Sequence, residues 1–147
     1  MKVLLDTNIL VYAANRHCAE NTTAKAVIEK LVADRVPWCL TWGIAYEFFR
    51  VSTHPNVFRH PLAPAEAVGM LNSLLDTGTL TMLVPSDRHG EMLRKTIEEI
   101  PHLAGNIFHD VTTAVLMREH GVSEIYSGDA DFRKFPFLKV TDPVHGR

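Results

Sequence analysis

The sequence is poor in cysteine, with only Cys18 and Cys39 among 147 residues. Two cysteines cannot build a disulfide framework or a four-cysteine zinc site, and they suit a reducing compartment. Long apolar runs are absent too, since no stretch approaches the ~18 apolar residues that a membrane-spanning helix needs. Only a few apolar residues separate Lys2 from Asp6, which is too short a run for a signal peptide. We therefore expect a cytoplasmic protein without a membrane segment.

An excess of charge of one sign is also missing. Lysine and arginine together number 15 against 17 aspartates and glutamates, which gives a formal net charge of -2. A polycation is excluded, so any nucleic acid would have to be bound by a local basic patch. Neither G-x-G-x-x-G nor G-x-x-x-x-G-K-[ST] occurs, which excludes dinucleotide-binding and P-loop proteins. The length and the ordinary globular composition predict one domain over residues 1–147.

What the chain does contain is a regular alternation of short apolar runs and helical patterns. Apolar runs predict strands at residues 2–5, 37–41, 79–84, 123–126 and 137–140. Helical spacing predicts helices between them, at residues 7–14, around 24–31, at 42–53, 64–75, from the upper eighties to 100, and at 106–120. Ser86 or Asp87 is the expected N-cap of the helix that ends before Pro101. This order favours a three-layer α/β/α fold with a central parallel sheet of four to five short strands.

Two aspartates follow predicted strands. Asp6 ends the first apolar run, and Asp129 comes shortly after the run that ends at Tyr126. Ligands of parallel α/β sheets bind beyond the carboxyl ends of the strands, so both positions are candidate site residues. Each also has a simpler explanation, because Asp6 can cap the following helix and Asp129 can serve a Gly-Asp turn.

Two further acids lie within predicted helices. Apolar residues cover most of the circumference of the helix at 42–53, which predicts a buried helix, and Glu47 would then face a partner, a cavity or a metal. An i, i+3 pair with Arg50 is the alternative, and it would not exclude a site. Asp110 lies near the start of its helix, where the helix dipole alone would favour a carboxylate.

Taken together, these acids predict a metal site. Carboxylates gathered in one dry place would repel one another, and cations would relieve that repulsion. Ligand sets made only of oxygen select Mg²⁺ or Mn²⁺ over zinc, and such ions keep several waters. Two metals about 4 Å apart can stabilise both the attacking and the leaving oxygen of a phosphodiester. The residues therefore predict metal-assisted phosphoryl chemistry on a polyanion.

An ordered set of short motifs resembles those of PIN-domain endoribonucleases, and among them the VapC-type toxins of toxin–antitoxin (VapBC) pairs. The matching segments are Val3-Leu4-Leu5-Asp6-Thr7-Asn8, Tyr46-Glu47-Phe48-Phe49, His109-Asp110-Val111-Thr112-Thr113-Ala114 and Ser127-Gly128-Asp129-Ala130-Asp131-Phe132. The serine at position 127 replaces a threonine that is common in the family, and it keeps the hydroxyl. The resemblance implies catalytic metal ligands at Asp6, Glu47, Asp110 and Asp129. Asp131 would be a further ligand, direct or through water, and Thr7 and Asn8 would orient Asp6.

The same resemblance implies a function. The chain would be a Mg²⁺- or Mn²⁺-dependent endoribonuclease that cuts structured RNA, such as tRNA or ribosomal RNA, with water activated by the metal. It would form a homodimer and be inhibited by a cognate VapB-like antitoxin that places a basic side chain among the acids. A guanidinium there would replace the cation.

RNA would also have to be held against the overall negative charge. The basic residues near the predicted site are Arg16, Arg50, Arg59, Arg133 and Lys134. Contacts from these residues to phosphates would position the RNA without selecting its sequence. Phe58 could stack on an unpaired base, although anchoring its loop or a dimer contact is the favoured interpretation.

Other functions remain as alternatives. A PIN-like module without catalysis, which only binds RNA or a protein, is the main one. A haloacid dehalogenase-like phosphatase would use Asp6 as its nucleophile, but Asn8 stands where a second acid is expected. His109-Asp110 is similar to the paired residues of HD phosphohydrolases, which are all-helical, so the predicted strands oppose that class. His89, His102 and His120 have no partner at zinc spacing and are interpreted as surface or packing residues.

Overall fold

The fold is built around a parallel sheet whose strands lie in the order β3-β2-β1-β4-β5. The computed structural model describes residues 2–147. The strands are β1 (Val3–Leu5), β2 (Trp38–Thr41), β3 (Leu80–Leu83), β4 (Glu124–Tyr126) and β5 (Lys139–Thr141). The helices are α1 (Thr7–Ala14), α2 (Asn21–Ala33), α3 (Trp42–Ser52), α4 (Pro64–Leu75), α5 (His89–Glu99) and α6 (Phe108–Glu119). Short 3₁₀ turns cover Gly105–Ile107 and Ala130–Lys134.

The central strands are apolar without alternation because helices cover both faces of the sheet. Every residue of β1 is fully buried, and so are Trp38, Cys39 and Leu40 of β2. This arrangement confirms the predicted three-layer α/β/α architecture with a parallel sheet of short strands. None of the helices within residues 2–147 combines the length and apolar character needed to cross a bilayer.

The order of the strands creates a crevice at one end of the sheet. From β1 the chain steps through β2 to β3 in one direction, and it then returns to pair β4 with the other side of β1. Because parallel crossovers are right-handed, this reversal places the helices that precede β3 and those that follow it on opposite faces, and it opens a cleft beyond the carboxyl ends of β1 and β4. The β1–β4 register pairs Leu5 with Tyr126, so the residues that follow, Asp6 and Ser127, lie side by side.

Two local predictions were wrong. The expected cap of α5 fails because this helix begins at His89, after Arg88, and has no side-chain cap. The hydroxyl of Ser86 instead donates to Oε2 of Glu119 at 2.5 Å, which ties the β3–α5 loop to the end of α6. The predicted helix at 106–120 begins as the 3₁₀ turn and becomes α-helical only at Phe108.

The expectation that α3 is buried all round was also wrong. One face, with Ile44, Ala45 and Phe48, packs into the core, while Trp42 is 45% exposed and Tyr46 is 69% exposed. The apolar composition of α3 therefore overestimated its burial, because only one face of this helix packs against the rest of the fold. Glu47, the acid on this helix, is accordingly half-exposed.

Candidate active site

A groove of about 1020 Å³ opens at the carboxyl ends of the strands. Part of its wall is formed by α1 from Thr7 to Val11 and by α3 from Gly43 to Val51, and residues 106–113 form another part. All of the acids predicted from the sequence as site residues line it: Asp6, Glu47, Asp110, Asp129 and Asp131. The groove thus brings together residues from widely separated parts of the chain.

Asp6 is held in a fixed position at the end of β1. It is the N-cap of α1, and its Oδ1 accepts a hydrogen bond from the backbone N–H of Thr7 at 2.8 Å. Its Oδ2 accepts a hydrogen bond from the hydroxyl of Ser127 at 2.7 Å. Burial raises the pKa of Asp6, and the charges of Asp129 and Glu47 raise it further, while these two hydrogen bonds oppose the shift.

The hydroxyl of Ser127 connects the two strand ends. Besides donating to Asp6, it accepts a hydrogen bond from the backbone N–H of Asp129 at 2.9 Å. Oδ1 of Asp129 in turn accepts the backbone N–H of Asp131 at 2.9 Å, which caps the 3₁₀ turn that follows. Ser127 is only 2% exposed, so water competes little for these bonds. The loop after β4 is therefore fixed relative to Asp6.

Three carboxylates form a tight cluster in the groove. Asp110, Asp129 and Asp131 each offer an oxygen, and these oxygens all lie within 4.8 Å of one another. Asp110 comes from the first turn of α6, whereas the other two come from the turn after β4. Burial, with the charges of Asp129, Asp6 and Asp131, raises the pKa of Asp110 to about 6. An all-oxygen set of mutually repelling acids suits a hard divalent cation such as Mg²⁺ or Mn²⁺.

Glu47 is paired within its own helix. Nη2 of Arg50 lies 2.5 Å from Oε1 of Glu47, and Nε of Arg50 donates to Oε2 at 3.1 Å. This pairing lowers the pKa of Glu47. The side chains are 62% exposed for Arg50 and 45% exposed for Glu47, so water screens the pair and it contributes little to stability. A cation or a phosphate entering the groove can therefore compete for either member.

No protein-family model matches the chain, but individual proteins match nearly all of it. It is 30% identical over 146 residues to Ribonuclease VapC48 of Mycobacterium tuberculosis, covering 99% of this chain and 100% of that relative. The chain belongs to the VapC ribonuclease family. Ribonuclease VapC33 of the same organism is 28% identical over 145 residues, which cover 97% of this chain and 98% of the relative.

Solved structures show that the fold is the VapC fold. VapBC2 from Rickettsia felis, solved with a DNA fragment from its promoter, superposes with a TM-score of 0.67 and 19% identity, covering 96% of this chain and 98% of that one. Mycobacterium tuberculosis VapC20, a Sarcin-Ricin loop cleaving toxin, gives a TM-score of 0.60 and 20% identity, with coverage of 89% and 92%. The family resemblance read from the motifs is therefore confirmed.

Within this VapC fold, Asn8 does not orient Asp6 as the motif suggested. Its side chain packs against the loop after β4, where a Cβ on Gly128 would lie 3.1 Å from Nδ2 of Asn8. Its Oδ1 is buried and accepts no hydrogen bond from any of residues 2–147. The sequence analysis gave Ser127 no role beyond keeping the family's hydroxyl, and the available signal was its position directly after a predicted strand.

The aromatic candidate for RNA stacking is also settled. Phe58 is 2% exposed, so its ring cannot stack on an RNA base without unfolding the loop. The favoured interpretation, in which Phe58 anchors its own loop, agrees with this burial. His89 pairs with Glu119 and Nε2 of His120 lies 2.6 Å from the carbonyl oxygen of Val84, which agrees with packing roles.

Replacing Ser127 by alanine is expected to lower RNA cleavage at least about tenfold and stability by about 1–2 kcal/mol, because two buried hydrogen bonds are lost. The pKa of Asp6 should rise further, since the Ser127 hydroxyl lowers it. Cleavage assays, thermal unfolding and NMR titration of the carboxyl carbons would measure these effects. Ser127→Thr is the control, because it keeps the hydroxyl. An unchanged Asp6 pKa in Ser127→Ala would show that the hydroxyl does not position this carboxylate.

Proposed function

We propose that this chain is a VapC-type toxin, a divalent-metal-dependent endoribonuclease that cuts structured RNA such as tRNA or ribosomal RNA. The observation that carries the proposal is the clustering of Asp110, Asp129 and Asp131, with Asp6 and Glu47 in the same groove. Membership of a family whose relatives are named ribonucleases supports the reaction class.

In this proposal the three clustered carboxylates hold the divalent cation, with Asp6 and Glu47 contributing directly or through water. A bound Mg²⁺ or Mn²⁺ would supply Lewis-acid stabilisation of phosphate oxygens and a more acidic water. Asp6 is already oriented by Ser127 and Thr7, so the site needs little rearrangement before it reacts. Asp110 has to be ionised to act as a ligand, and its pKa of about 6 makes loading easier above that pH.

Arg50 has a complementary role in the proposal. While Glu47 is free of metal, the guanidinium neutralises it, and once Glu47 serves the cation the guanidinium becomes available to a phosphate of the RNA. Both states keep Glu47 beside a positive charge.

For the partner we propose a cognate VapB-like antitoxin and a homodimeric toxin. VapBC complexes from Rickettsia felis and Salmonella typhimurium are among the solved structures that share this fold. The negative charge of the groove also supports an antitoxin that inserts a basic side chain among the acids, because that side chain would replace the cation and block the site.

The test is to map RNA ends after a brief pulse of expression and to repeat the assay with purified protein, comparing the wild type with Asp6→Asn. The proposal expects new ends that depend on Asp6 and on Mg²⁺ or Mn²⁺. If the wild type binds RNA but cuts none with either metal, the chain is a binding module instead. A covalent aspartyl-phosphate on Asp6 would identify a phosphatase.

A further inference from the structure

Two loops meet where α1 and α3 end. The first, residues 15–20, leads to α2, and the second, residues 53–63, leads to α4. The imidazole rings of His17 and His60 lie with their centroids 5.0 Å apart, so the loops are in contact. Arg16 and Arg59 precede these histidines in the sequence, and all four residues are exposed. We refer to Arg16, His17, Arg59 and His60 as the loop patch.

The charge of the loop patch is not neutralised by the protein. Within residues 2–147, neither Arg16 nor Arg59 has an ion-pair partner within 4.0 Å. The second loop contains no acid, and the first ends with Glu20, which forms no ion pair with Arg16 or Arg59 within 4.0 Å. Phe58, buried beside Arg59, anchors that loop, and its N–H donates to the carbonyl of His54 at 3.1 Å. The patch is therefore an anchored cationic surface without an anionic partner.

The loop patch lies beyond one end of the groove that holds the acids. Val11 and Val51 line this groove. The backbone N–H of Asn15 bonds the carbonyl of Val11 at 3.0 Å, and that of His54 bonds the carbonyl of Val51 at 3.2 Å. Each loop thus starts one helical turn past a groove residue, at the end away from Asp6.

The dimensions suit a nucleic-acid strand. At about 1.5 Å per residue, α3 extends roughly 16 Å along the groove. An RNA strand carries one phosphate per nucleotide, so a strand lying along this length would place more than one phosphate between the acids and the loop patch. Arg50, on the last turn of α3, lines the groove, and in the chain it lies between Glu47 and the second loop.

We propose that the loop patch binds the phosphate backbone of the RNA, several nucleotides away from the phosphate that is cut. This inference rests on the proposed function and assigns a substrate-binding surface to it. Arginine suits the role because its planar guanidinium bonds phosphate oxygens in a bidentate manner. Such contacts position the strand without reading bases, so they contribute affinity for RNA of any sequence.

The experiment compares the double variant Arg16→Gln/Arg59→Gln with its parent, both carrying Asp110→Asn so that RNA is not cut. Fluorescence anisotropy with a 3′-fluorescein-labelled 12-nucleotide single-stranded RNA of mixed sequence gives the affinity at several NaCl concentrations. Loss of two phosphate contacts should weaken binding about tenfold and flatten the slope of log K against log salt by about 1.4.

Arg35→Gln/Arg94→Gln in the same background is the matched control. It removes the same charge from two exposed arginines away from the groove, one before β2 and one on α5. Its affinity and salt slope should equal those of the parent. Circular dichroism verifies that all the variants are folded.

The proposal is overturned if the loop-patch variant keeps the parent's affinity and slope, or if the control weakens binding equally. Loss of antitoxin binding with intact RNA binding would also overturn it and assign the surface to the protein partner. The proposed function fails separately, when wild-type protein with Mg²⁺ or Mn²⁺ leaves RNA uncut, because the loop patch is judged on binding alone.

Discussion

Replacing Asp110 by asparagine is expected to abolish RNA cleavage and at the same time to stabilise the metal-free protein. Cleavage should fall by at least about 1000-fold, because a carboxylate that would hold the cation facing the reacting phosphate is lost. The metal-free fold should gain up to about 1 kcal/mol at pH 7, a figure reduced for the partial exposure of this carboxylate. The gain arises because an ionised Asp110 is crowded by Asp129, Asp6 and Asp131. Thermal unfolding in EDTA and single-turnover cleavage measure the two effects.

The stability gain should depend on pH in a defined direction. The pKa of Asp110 is about 6 in the folded protein and 3.8 by its ordinary value, so the penalty for its charge is full above pH 6. The penalty declines as the pH falls towards 4, where both states bind the proton. Metal-free wild type should therefore approach the stability of Asp110→Asn on acidification. Asp87→Asn, which changes an exposed loop acid, is the control. A destabilised Asp110→Asn at pH 7 would contradict a repulsive cluster.

Removal of divalent cations is the second change with a large expected effect. EDTA should eliminate cleavage, and added Mg²⁺ or Mn²⁺ should restore it, because the acids of the groove alone offer no counter-charge to an RNA phosphate. Mn²⁺ at 100 times its dissociation constant should stabilise the fold by about 2.7 kcal/mol, equivalent to a melting-temperature rise of about 5–10 °C. Differential scanning fluorimetry and cleavage assays on the same samples measure both responses.

Asp129→Asn provides the comparison for the metal response. It removes a carboxylate of the three-acid cluster, so Mn²⁺ should raise its melting temperature little. Asp87→Asn should respond as the wild type does. Full cleavage in EDTA, or the same Mn²⁺ shift in Asp129→Asn, would rule out this cluster as the metal site.

Much of the fold could be predicted from local patterns. Unbroken apolar runs such as Val3–Leu5 predicted buried parallel strands, and the structure confirms them. The N-cap role of Asp6 was also predicted, and the structure shows that Asp6 both caps α1 and lines the acidic groove. The strands and the N-cap could be predicted because they depend on residues that are close in the sequence.

The errors share one cause. The apolar circumference of α3 predicted a buried Glu47, but Tyr46 is exposed and Glu47 is paired with Arg50 on an open surface. The family resemblance favoured Asp129 as a direct ligand and left Asp131 as a further ligand, direct or through water, and the structure places both in the three-acid cluster. Burial and side-chain direction depend on which elements pack together, and a single sequence does not specify that.

The sequence by itself determined the family, the alternating strands and helices, and the acids that could hold a metal, because these depend on composition and local spacing. Only the tertiary structure decided where the acids meet. The hydrogen bond between Ser127 and Asp6 joins residues 121 positions apart, and it exists because β4 pairs with β1. The contact between His17 and His60, which forms the loop patch, likewise depends on α1 packing against α3. Strand order and helix packing are set by long-range burial, which no local pattern encodes.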